Sequence, residues 1–473
     1  SSGPSPSLQS RMSTEPRRFW RLSLAVCSIL AFAAATLGAI GLSRGPELAG
    51  ATFAADRAVA VAGERLVLRS RQPISEVAPS QVEVRPQAPF TIETADQALA
   101  VRFTAPLAYG TTYQLVVRDV RSRQTERTSD WSYSFATPAA ELYTLVARRT
   151  TTAPDELDEV LLTAGDQQRQ ILTASGIDEY VVTRGHVVAI SHPDDTSSTL
   201  FAAPRTAGGG QTELAAPSAP ALGLLRASPE GDRFGYTATG TGTKEGREFD
   251  NALFIQDATD LSRPPVEVTA SGRPLAVQDW LFVPGVAAVL TLDLQRQAAV
   301  TYLNGNAAPV PLGSYDQLVG FLPGTTTLLA MSKGQAQLLD LSTGETTTVP
   351  PTTDPAADEF AGRRTLISPD DYVQELNQLD RSTEGTRVSS QLARISGGQA
   401  LTLLDLQPEE GQLLDSGVSP NGQFGWATVL GATAPTEDLT SGASEHATTL
   451  IFDLNTGAQV TAAPGGAPTW ART

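Results

Sequence analysis

The stretch that decides the fold reads SPEGDRFGY at residues 228–236 and returns as SPNGQFGW at residues 419–426. A shorter copy, SPDD, occupies residues 368–371, and weaker copies surround prolines 193, 284 and 323. Successive prolines of the series are 36, 55, 39, 46 and 51 residues apart. Proline presets a turn dihedral and glycine permits a tight turn. The sequence therefore predicts one turn that is repeated along the chain.

A second series, of aspartates, alternates with these turns. Asp257, Asp293, Asp340, Asp405 and Asp453 each follow an apolar run, and two of them open the motifs DLSTG (340–344) and DLNTG (453–457). The apolar runs predict buried strands. Repeats of about 40 to 50 residues with four short strands each are typical of propeller blades.

Together the two motifs resemble the TolB-like and WD40-like propeller repeats of secreted bacterial proteins, and the resemblance extends over residues 141–473. The final APTWA (467–471) resembles the strand that leads into such a turn, whereas residues 141–175 lack a leading strand. We therefore expect the C-terminal strand to complete the first blade and to remove an exposed edge. Seven blades are expected, with six or eight as alternatives: 141–175 with 466–473, 176–217, 218–271, 272–312, 313–350, 360–410 and 411–465.

Residues 50–138 predict a separate β module. Short alternating segments such as RLVL (65–68) and YQLVV (113–117) are separated by turn-rich stretches, which is typical of a β-sandwich. LAYGTTY (107–113) and WSYSFATP (131–138) resemble the late strands of bacterial Ig-like domains of the surface-layer type. That resemblance implies a spacer. The predicted fold class is thus all-β: a transmembrane helix, an Ig-like β-sandwich and a seven-bladed β-propeller closed by the C-terminal strand.

The N-terminal region predicts a membrane anchor. The 21 residues from Leu22 to Leu42 contain no charge, and Arg17, Arg18 and Arg21 precede them. This length spans a bilayer core, and the arginines place residues 1–21 in the cytoplasm. The sequence therefore predicts a single-pass protein of a bacterial cell membrane with an extracytoplasmic body. A signal peptide cleaved near residues 52–55 is the alternative.

The charge and cysteine content limit the partners. Residues 45–473 carry 34 − 5 = 29 basic and 51 − 1 = 50 acidic residues, a formal charge of −21. Such a body repels phosphate backbones, so no nucleic-acid partner is expected, whereas a cationic partner remains an alternative to plain solubility. The only cysteine, Cys27, lies in the apolar stretch and can form neither an internal disulfide nor a cysteine metal site.

No catalytic arrangement is apparent in the sequence. His186, His192 and His446 are the only histidines, and none accompanies a nucleophile motif or a zinc-ligand pattern. No catalytic, cofactor or metal residue is predicted, and a non-enzymatic role is favoured. Carboxylates from different blades would leave no linear motif, so a propeller hydrolase or lyase that acts on glycans stays open.

Loop length indicates a candidate binding rim. Polar insertions at 150–159, 239–251, 377–390 and 431–448 join the second and third strands of expected blades, and loops on a rigid scaffold often carry recognition. The acidic rim residues are Asp155, Glu156, Glu245, Glu248, Asp250, Glu437, Asp438 and Glu445. The predicted function is a membrane-anchored scaffold that binds a protein or an envelope polymer. An accessory structural subunit of a membrane complex is a further alternative.

Overall fold

The computed structural model describes residues 45–148, 157–164, 167–194, 197–206, 208–217, 221–242, 246–303, 307–350, 359–380, 387–434 and 443–471. Across these ranges the chain is almost entirely strand and turn. The α-helix there is α1 (Ala55–Ala58), and a 3-10 turn spans Pro79–Gln81. The all-β prediction is confirmed.

The membrane prediction requires a correction. Within the described ranges no helix is long and apolar enough to cross a bilayer. α1 has four residues and is about 6 Å long, against a hydrocarbon core of about 30 Å. The predicted span 22–42, with its ends Leu22 and Leu42, and the tail 1–21 lie outside the described residues. The predicted single-pass localisation is contradicted by this finding and is withdrawn.

Residues 48–136 form a sandwich of two antiparallel sheets. The strands are β1 (Leu48–Thr52), β2 (Arg65–Ser70), β3 (Val82–Arg85), β4 (Phe90–Ala95), β5 (Ala98–Phe103), β6 (Thr112–Arg121) and β7 (Thr128–Ala136). One sheet has the order β1-β2-β5-β4 and the other the order β3-β6-β7.

The aromatic strand β7 supplies the core between these sheets. Trp131 and Phe135 are buried and alternate with exposed neighbours, because successive strand residues point to opposite faces. The ring of Phe135 lies 6.1 Å from that of Phe103, on β5 of the other sheet. The Trp131 indole donates to the carbonyl oxygen of Pro46 at 2.6 Å, which satisfies the polar atom of this buried ring.

The described residues from 142 to 470 form a β-propeller of seven four-stranded antiparallel sheets, numbered 1 to 7 in chain order. Sheet 1 contains β8 (Leu142–Val146), β9 (Asp158–Ala164) and β10 (Gln167–Ala174), joined by β37 (Gly466–Trp470). Sheet 2 contains β11 (Ile177–Val182), β12 (His186–Asp194), β13 (Ser197–Pro204) and β14 (Thr212–Glu213). Sheet 3 contains β15 (Ala221–Ala227), β16 (Arg233–Thr241), β17 (Glu248–Asp257) and β18 (Val266–Glu267), and the hairpin β19 (Thr269–Ala270) and β20 (Arg273–Pro274) follows it.

The remaining four sheets repeat the same strand order. Sheet 4 contains β21 (Asp279–Phe282), β22 (Ala288–Leu292), β23 (Gln297–Tyr302) and β24 (Val310–Ser314). Sheet 5 contains β25 (Gln317–Phe321), β26 (Thr327–Ser332), β27 (Gln335–Asp340) and β28 (Thr346–Thr348). Sheet 6 contains β29 (Glu359–Ser368), β30 (Asp371–Asp380), β31 (Arg387–Ser396) and β32 (Gln399–Leu406). Sheet 7 contains β33 (Gly411–Val418), β34 (Phe424–Gly431), β35 (Ala447–Asp453) and β36 (Gln459–Pro464).

The repeated serines close the turns between the first and second strands. In sheet 3 the Ser228 hydroxyl donates to Asp232 at 2.8 Å and accepts the Arg233 amide at 3.1 Å. In sheet 7 the Ser419 hydroxyl accepts the Phe424 amide at 3.0 Å. These turns, together with 283–287 and 322–326, define the turn face of the ring. The second strands end, and the third strands begin, at the opposite end of the sheets, for example at Thr241 and Glu248 in sheet 3 and at Gly431 and Ala447 in sheet 7, and this end defines the loop face.

The aspartate series is less regular than the sequence suggests. Asp257, Asp340 and Asp453 end third strands, as the repeat requires, but Asp293 lies between the second and third strands of sheet 4 and Asp405 lies in a fourth strand. The Asp293 carboxylate accepts the amides of Gln295 and Gln297, both at 2.8 Å. An aspartate suits any tight turn with free amides, so the motif marks turns rather than one blade position.

The C-terminal strand closes the ring as predicted. β37 pairs antiparallel with β8, with Thr469 opposite Tyr143 and Trp470 opposite Leu142. The Tyr180 hydroxyl of sheet 2 lies 2.9 Å from the Tyr143 carbonyl oxygen and 2.7 Å from the Ala467 carbonyl oxygen. Both strands of the closing pair are therefore tied to the next sheet.

An arginine completes this closure. Arg205 donates through Nε to the Tyr143 hydroxyl at 3.0 Å and through Nη2 to Glu141 at 2.5 Å. Burial raises the pKa of Tyr143 to about 12, and the neighbouring guanidinium opposes that rise. The phenol of Tyr143 thus stays protonated well above the pH at which a solvated tyrosine ionises.

This pKa predicts an alkaline loss of stability. Because the folded state holds the Tyr143 proton more tightly than the unfolded chain does, its contribution is complete below pH 10 and is lost as the pH rises towards 12. We expect the ionisation of Tyr143 alone to lower the free energy of unfolding by about 1 kcal/mol between pH 9 and pH 11. Urea unfolding at both pH values checks this, and Tyr143→Phe should show a correspondingly smaller decrease. Equal decreases in both proteins would contradict it.

The sandwich is seated on the turn face. The Asn421 side chain donates to the Leu107 carbonyl oxygen at 3.2 Å, and the Gln423 side chain accepts the Tyr109 amide at 2.7 Å. The rings of Tyr109 and Phe424 stack at 6.3 Å. In sheet 3 the matching turn has Glu230 and Asp232 instead of Asn421 and Gln423. The sheet 7 copy of the repeat therefore serves as a docking point for the sandwich.

Candidate functional site

The centre of the ring holds a cavity of about 460 Å³. The first strand of every sheet contributes to its wall, as shown by Thr469, Val181, Leu225, Leu281, Phe321, Thr365 and Val418. Ala60 and Val61, which follow α1 in the sandwich, also line it. The cavity therefore lies at the turn-face end of the channel, between the ring and the sandwich.

One ion pair lies among the apolar and hydroxyl side chains of the wall. Among the described residues that line the cavity, Arg226 has the only charged side chain. Its Nη2 lies 2.6 Å from an oxygen of Asp279 on the neighbouring first strand, and the two side chains are 31% and 17% exposed. The described lining thus supplies neither a carboxylate nor a histidine for acid–base chemistry, so the cavity gives no support to the hydrolase or lyase alternative.

The first strands depart from regular pairing near the channel. Six of the seven shift register against their second strands, and only the β21 pairing is regular among those described. In β15 the shift places Leu224 at a φ of 50°. The Glu179 carboxylate on β11 accepts the amides of Leu224 at 3.0 Å and Leu225 at 2.6 Å. A carboxylate on one sheet thus satisfies the amides that the bulge leaves unpaired on the next sheet.

A carboxylate pair from two sheets lies between sheets 6 and 7. The Glu375 carboxylate accepts the Ser416 hydroxyl at 2.5 Å and the Arg363 amide at 3.0 Å, while the Arg363 guanidinium pairs with Asp415. Burial raises the pKa of Asp415, and the positive charge of Arg363 opposes that rise. Sequence reasoning missed this cluster because residues 363, 375 and 415 form no linear motif. Its hydrogen bonds join β29, β30 and β33, which is a structural role.

The histidines do not converge on a site. His192 Nδ1 lies 2.7 Å from Asp178, and burial lowers the pKa of His186. His446 lies in the connection between the second and third strands of sheet 7. In the described part of the chain, no group of three or more histidine, cysteine or acidic side chains is placed to hold a metal ion.

The structure describes three of the eight predicted rim residues. Glu248 and Asp250 are exposed on β17, and Glu445 is exposed in the 432–446 connection of sheet 7. Asp155, Glu156, Glu245, Glu437 and Asp438 lie outside the described residues. The Ala147 amide donates to the Ala443 carbonyl oxygen at 2.6 Å, and the Glu445 amide donates to Ala147 at 3.1 Å. The loop-face connections of sheets 1 and 7 are therefore in contact, whereas Glu248 and Asp250 belong to sheet 3.

No protein-family model matches the chain, and no curated protein matches it. Among solved structures it is similar to dihydro-heme d1 dehydrogenase NirN in complex with DHE, at 15% identity, 69% coverage of this chain, 74% of that chain and a TM-score of 0.41. It is also similar to the Myceliophteria thermophila Cps50 (Swd1) β-propeller domain, at 13% identity, 62% coverage of this chain, 87% of that chain and a TM-score of 0.35. A third similar structure is Chaetomium thermophilum Sqt1 bound to the N-terminus of ribosomal protein L10, at 12% identity, 69% coverage of this chain, 88% of that chain and a TM-score of 0.37. Such distant likenesses carry no argument about ligand or activity, and the fold assignment rests on the strand order and the closure by β37.

Proposed function

We propose that this protein is a non-enzymatic scaffold that binds a protein partner on the loop face of a seven-bladed propeller. The observation that carries the proposal is the docking of the sandwich through Leu107 and Tyr109 onto the turn of sheet 7. The sandwich covers the turn face at the channel. The loop face is the opposite face of the ring, which the sandwich does not cover. We further propose that residues 50–138 form an Ig-like module that holds the ring in a fixed orientation.

Charge favours a cationic partner. The body carries a formal charge of −21, from 29 basic and 50 acidic residues in 45–473. Exposed Glu248, Asp250 and Glu445 place part of this charge on the loop face. Complementary charge accelerates encounter and selects partners, and it is screened by salt. The proposed partner is therefore a protein with a basic surface patch.

Charge reversal on the loop face tests this proposal. The variant Glu248→Lys, Asp250→Lys, Glu445→Lys should reduce capture of the partner by about tenfold at low ionic strength, because three attractive contacts become repulsive. Quantitative mass spectrometry of proteins that are captured from the native cell extract measures the effect. Raising the ionic strength should weaken capture by the unmodified protein.

A matched control separates position from net charge. Glu76→Lys, Glu126→Lys, Glu345→Lys changes the total charge equally, but its residues lie on the sandwich and at the turn-face end of sheet 5. This control should capture the partner as well as the unmodified protein does. The loop face is excluded as the binding surface if both triple variants lose capture to the same degree.

A further inference from the structure

The central cavity has the size of a small-molecule site. Its 460 Å³ falls within the range of about 300 to 1,000 Å³ that is usual for ligand pockets. It is also about three times as large as an engineered apolar cavity of about 150 Å³ in another protein that binds benzene. A molecule with two fused rings and short substituents is small enough to enter such a space.

The walls favour an apolar occupant. Val61, Val181, Leu281, Phe321 and Val418 line the cavity, and all five keep some accessible surface although they lie between the ring and the sandwich. Apolar side chains that face a hollow lack contact partners on one side. A ligand of matching shape would supply those contacts and remove apolar surface from water.

The polar part of the wall favours a neutral ligand with an acceptor oxygen. Three residues before the turn proline, sheets 4 and 6 have Leu281 and Leu366, whereas sheet 3 has Arg226, and all three residues line the cavity. Asp279 balances the charge of Arg226. A charged ligand would therefore find no unpaired opposite charge in the wall, and its burial would be unfavourable. A guanidinium has five N–H donors, and Asp279 takes one of the Arg226 donors.

We propose that this cavity binds a small, uncharged, mainly apolar molecule whose carbonyl or hydroxyl oxygen accepts a hydrogen bond from Arg226. Two structural units build the site, since Ala60 and Val61 of the sandwich form one wall and the first strands form the other. The site is separate from the loop face, so it does not depend on the partner proposed above.

A neutral fluorescent ketone tests this inference on the full chain. The probe is 6-propionyl-2-(dimethylamino)naphthalene, whose emission shifts to shorter wavelength in an apolar environment. We expect saturable binding of one probe per chain. Val418→Trp fills the cavity and should weaken binding by at least tenfold, and Val61→Trp should do the same from the sandwich side. Arg226→Lys keeps a charge for Asp279 but loses the planar set of donors, so it should weaken binding several-fold.

The controls make the outcome decisive. Val460→Trp places the same new side chain on β36 of sheet 7, at a position that is 55% exposed and outside the cavity, and should bind the probe normally. The anionic probe 1-anilinonaphthalene-8-sulfonate should not compete. Absence of saturable binding overturns the inference. Binding of the probe by folded Val418→Trp and Val61→Trp with the affinity of the unmodified protein also overturns it. Thermal melts establish that the variants are folded, and the loop-face triple variant should bind the ketone unchanged.

Discussion

A chain that ends at Gly465 is expected to lose most of its folding stability. The deletion removes β37, and with it the partner strand of β8 and the buried side chain of Trp470. Loss of a buried tryptophan alone costs about 3–5 kcal/mol, against a typical total of about 5–15 kcal/mol. The Tyr180 hydroxyl also loses its contact with the Ala467 carbonyl oxygen. Thermal and urea unfolding should therefore show a much lower midpoint or no cooperative transition.

The separate contributions can be resolved with two further samples. Trp470→Ala keeps the strand and should show only the side-chain part of the loss. Adding a peptide of residues 466–473 to the truncated chain should restore stability in proportion to its concentration, because it refills the empty strand position. An unchanged melting temperature in the truncated chain would show that β37 does not hold the ring.

Replacing Gly235 by alanine is expected to destabilise the protein by about 3 kcal/mol, at the upper end of overpacking effects. A Cβ at this buried position would lie 2.7 Å from the Phe254 carbonyl oxygen, 2.4 Å from the Ile255 side chain and 2.8 Å from the Trp280 ring. Trp280 is fully buried, and its indole donates to the Leu224 carbonyl oxygen, so the ring cannot move without breaking that bond. Urea denaturation measures the loss.

Two other glycines provide comparisons for the expected destabilisation at Gly235. Gly425 holds the same place in the second copy of the motif, but an added Cβ would meet side-chain atoms of Leu454 at 2.9 Å and Leu403 at 3.2 Å, which can shift. Gly425→Ala should therefore cost less than Gly235→Ala. Gly431 has no atom within 4 Å of an added Cβ, so Gly431→Ala should change stability by less than about 0.5 kcal/mol. The reverse order of costs would refute the close packing of sheets 3 and 4.

The sequence predicts the fold well because turns and strand patterns are local. SPEG and SPNG mark the ends of β15 and β33, and the unpaired APTWA strand correctly indicates closure onto β8. Motifs with a weaker stereochemical requirement are less informative. Asp293 and Asp405 carry the aspartate signal at other strand positions, since an aspartate accepts amides in many kinds of turn.

The candidate sites were less accessible to sequence reasoning. The cavity wall takes residues from every first strand, and the Glu375–Asp415 pair joins two sheets, so no spacing along the chain reports either of them. Asn421 and Gln423 look like ordinary turn residues until the sandwich is seen to bind them. Of the predicted rim, the structure places Glu248, Asp250 and Glu445 on the surface, and their role in binding stays a prediction.

The pairing of β8 with β37 imposes an order on biosynthesis. Leu142 and Trp470 are neighbours in one sheet but are separated by more than 300 positions in the chain. The ribosome makes β8 long before β37, so the nascent chain must keep an unpaired strand edge while six further sheets emerge. Exposed edges of this kind invite pairing with other chains, and a molecular chaperone that shields β8 during translation would raise the yield of folded protein.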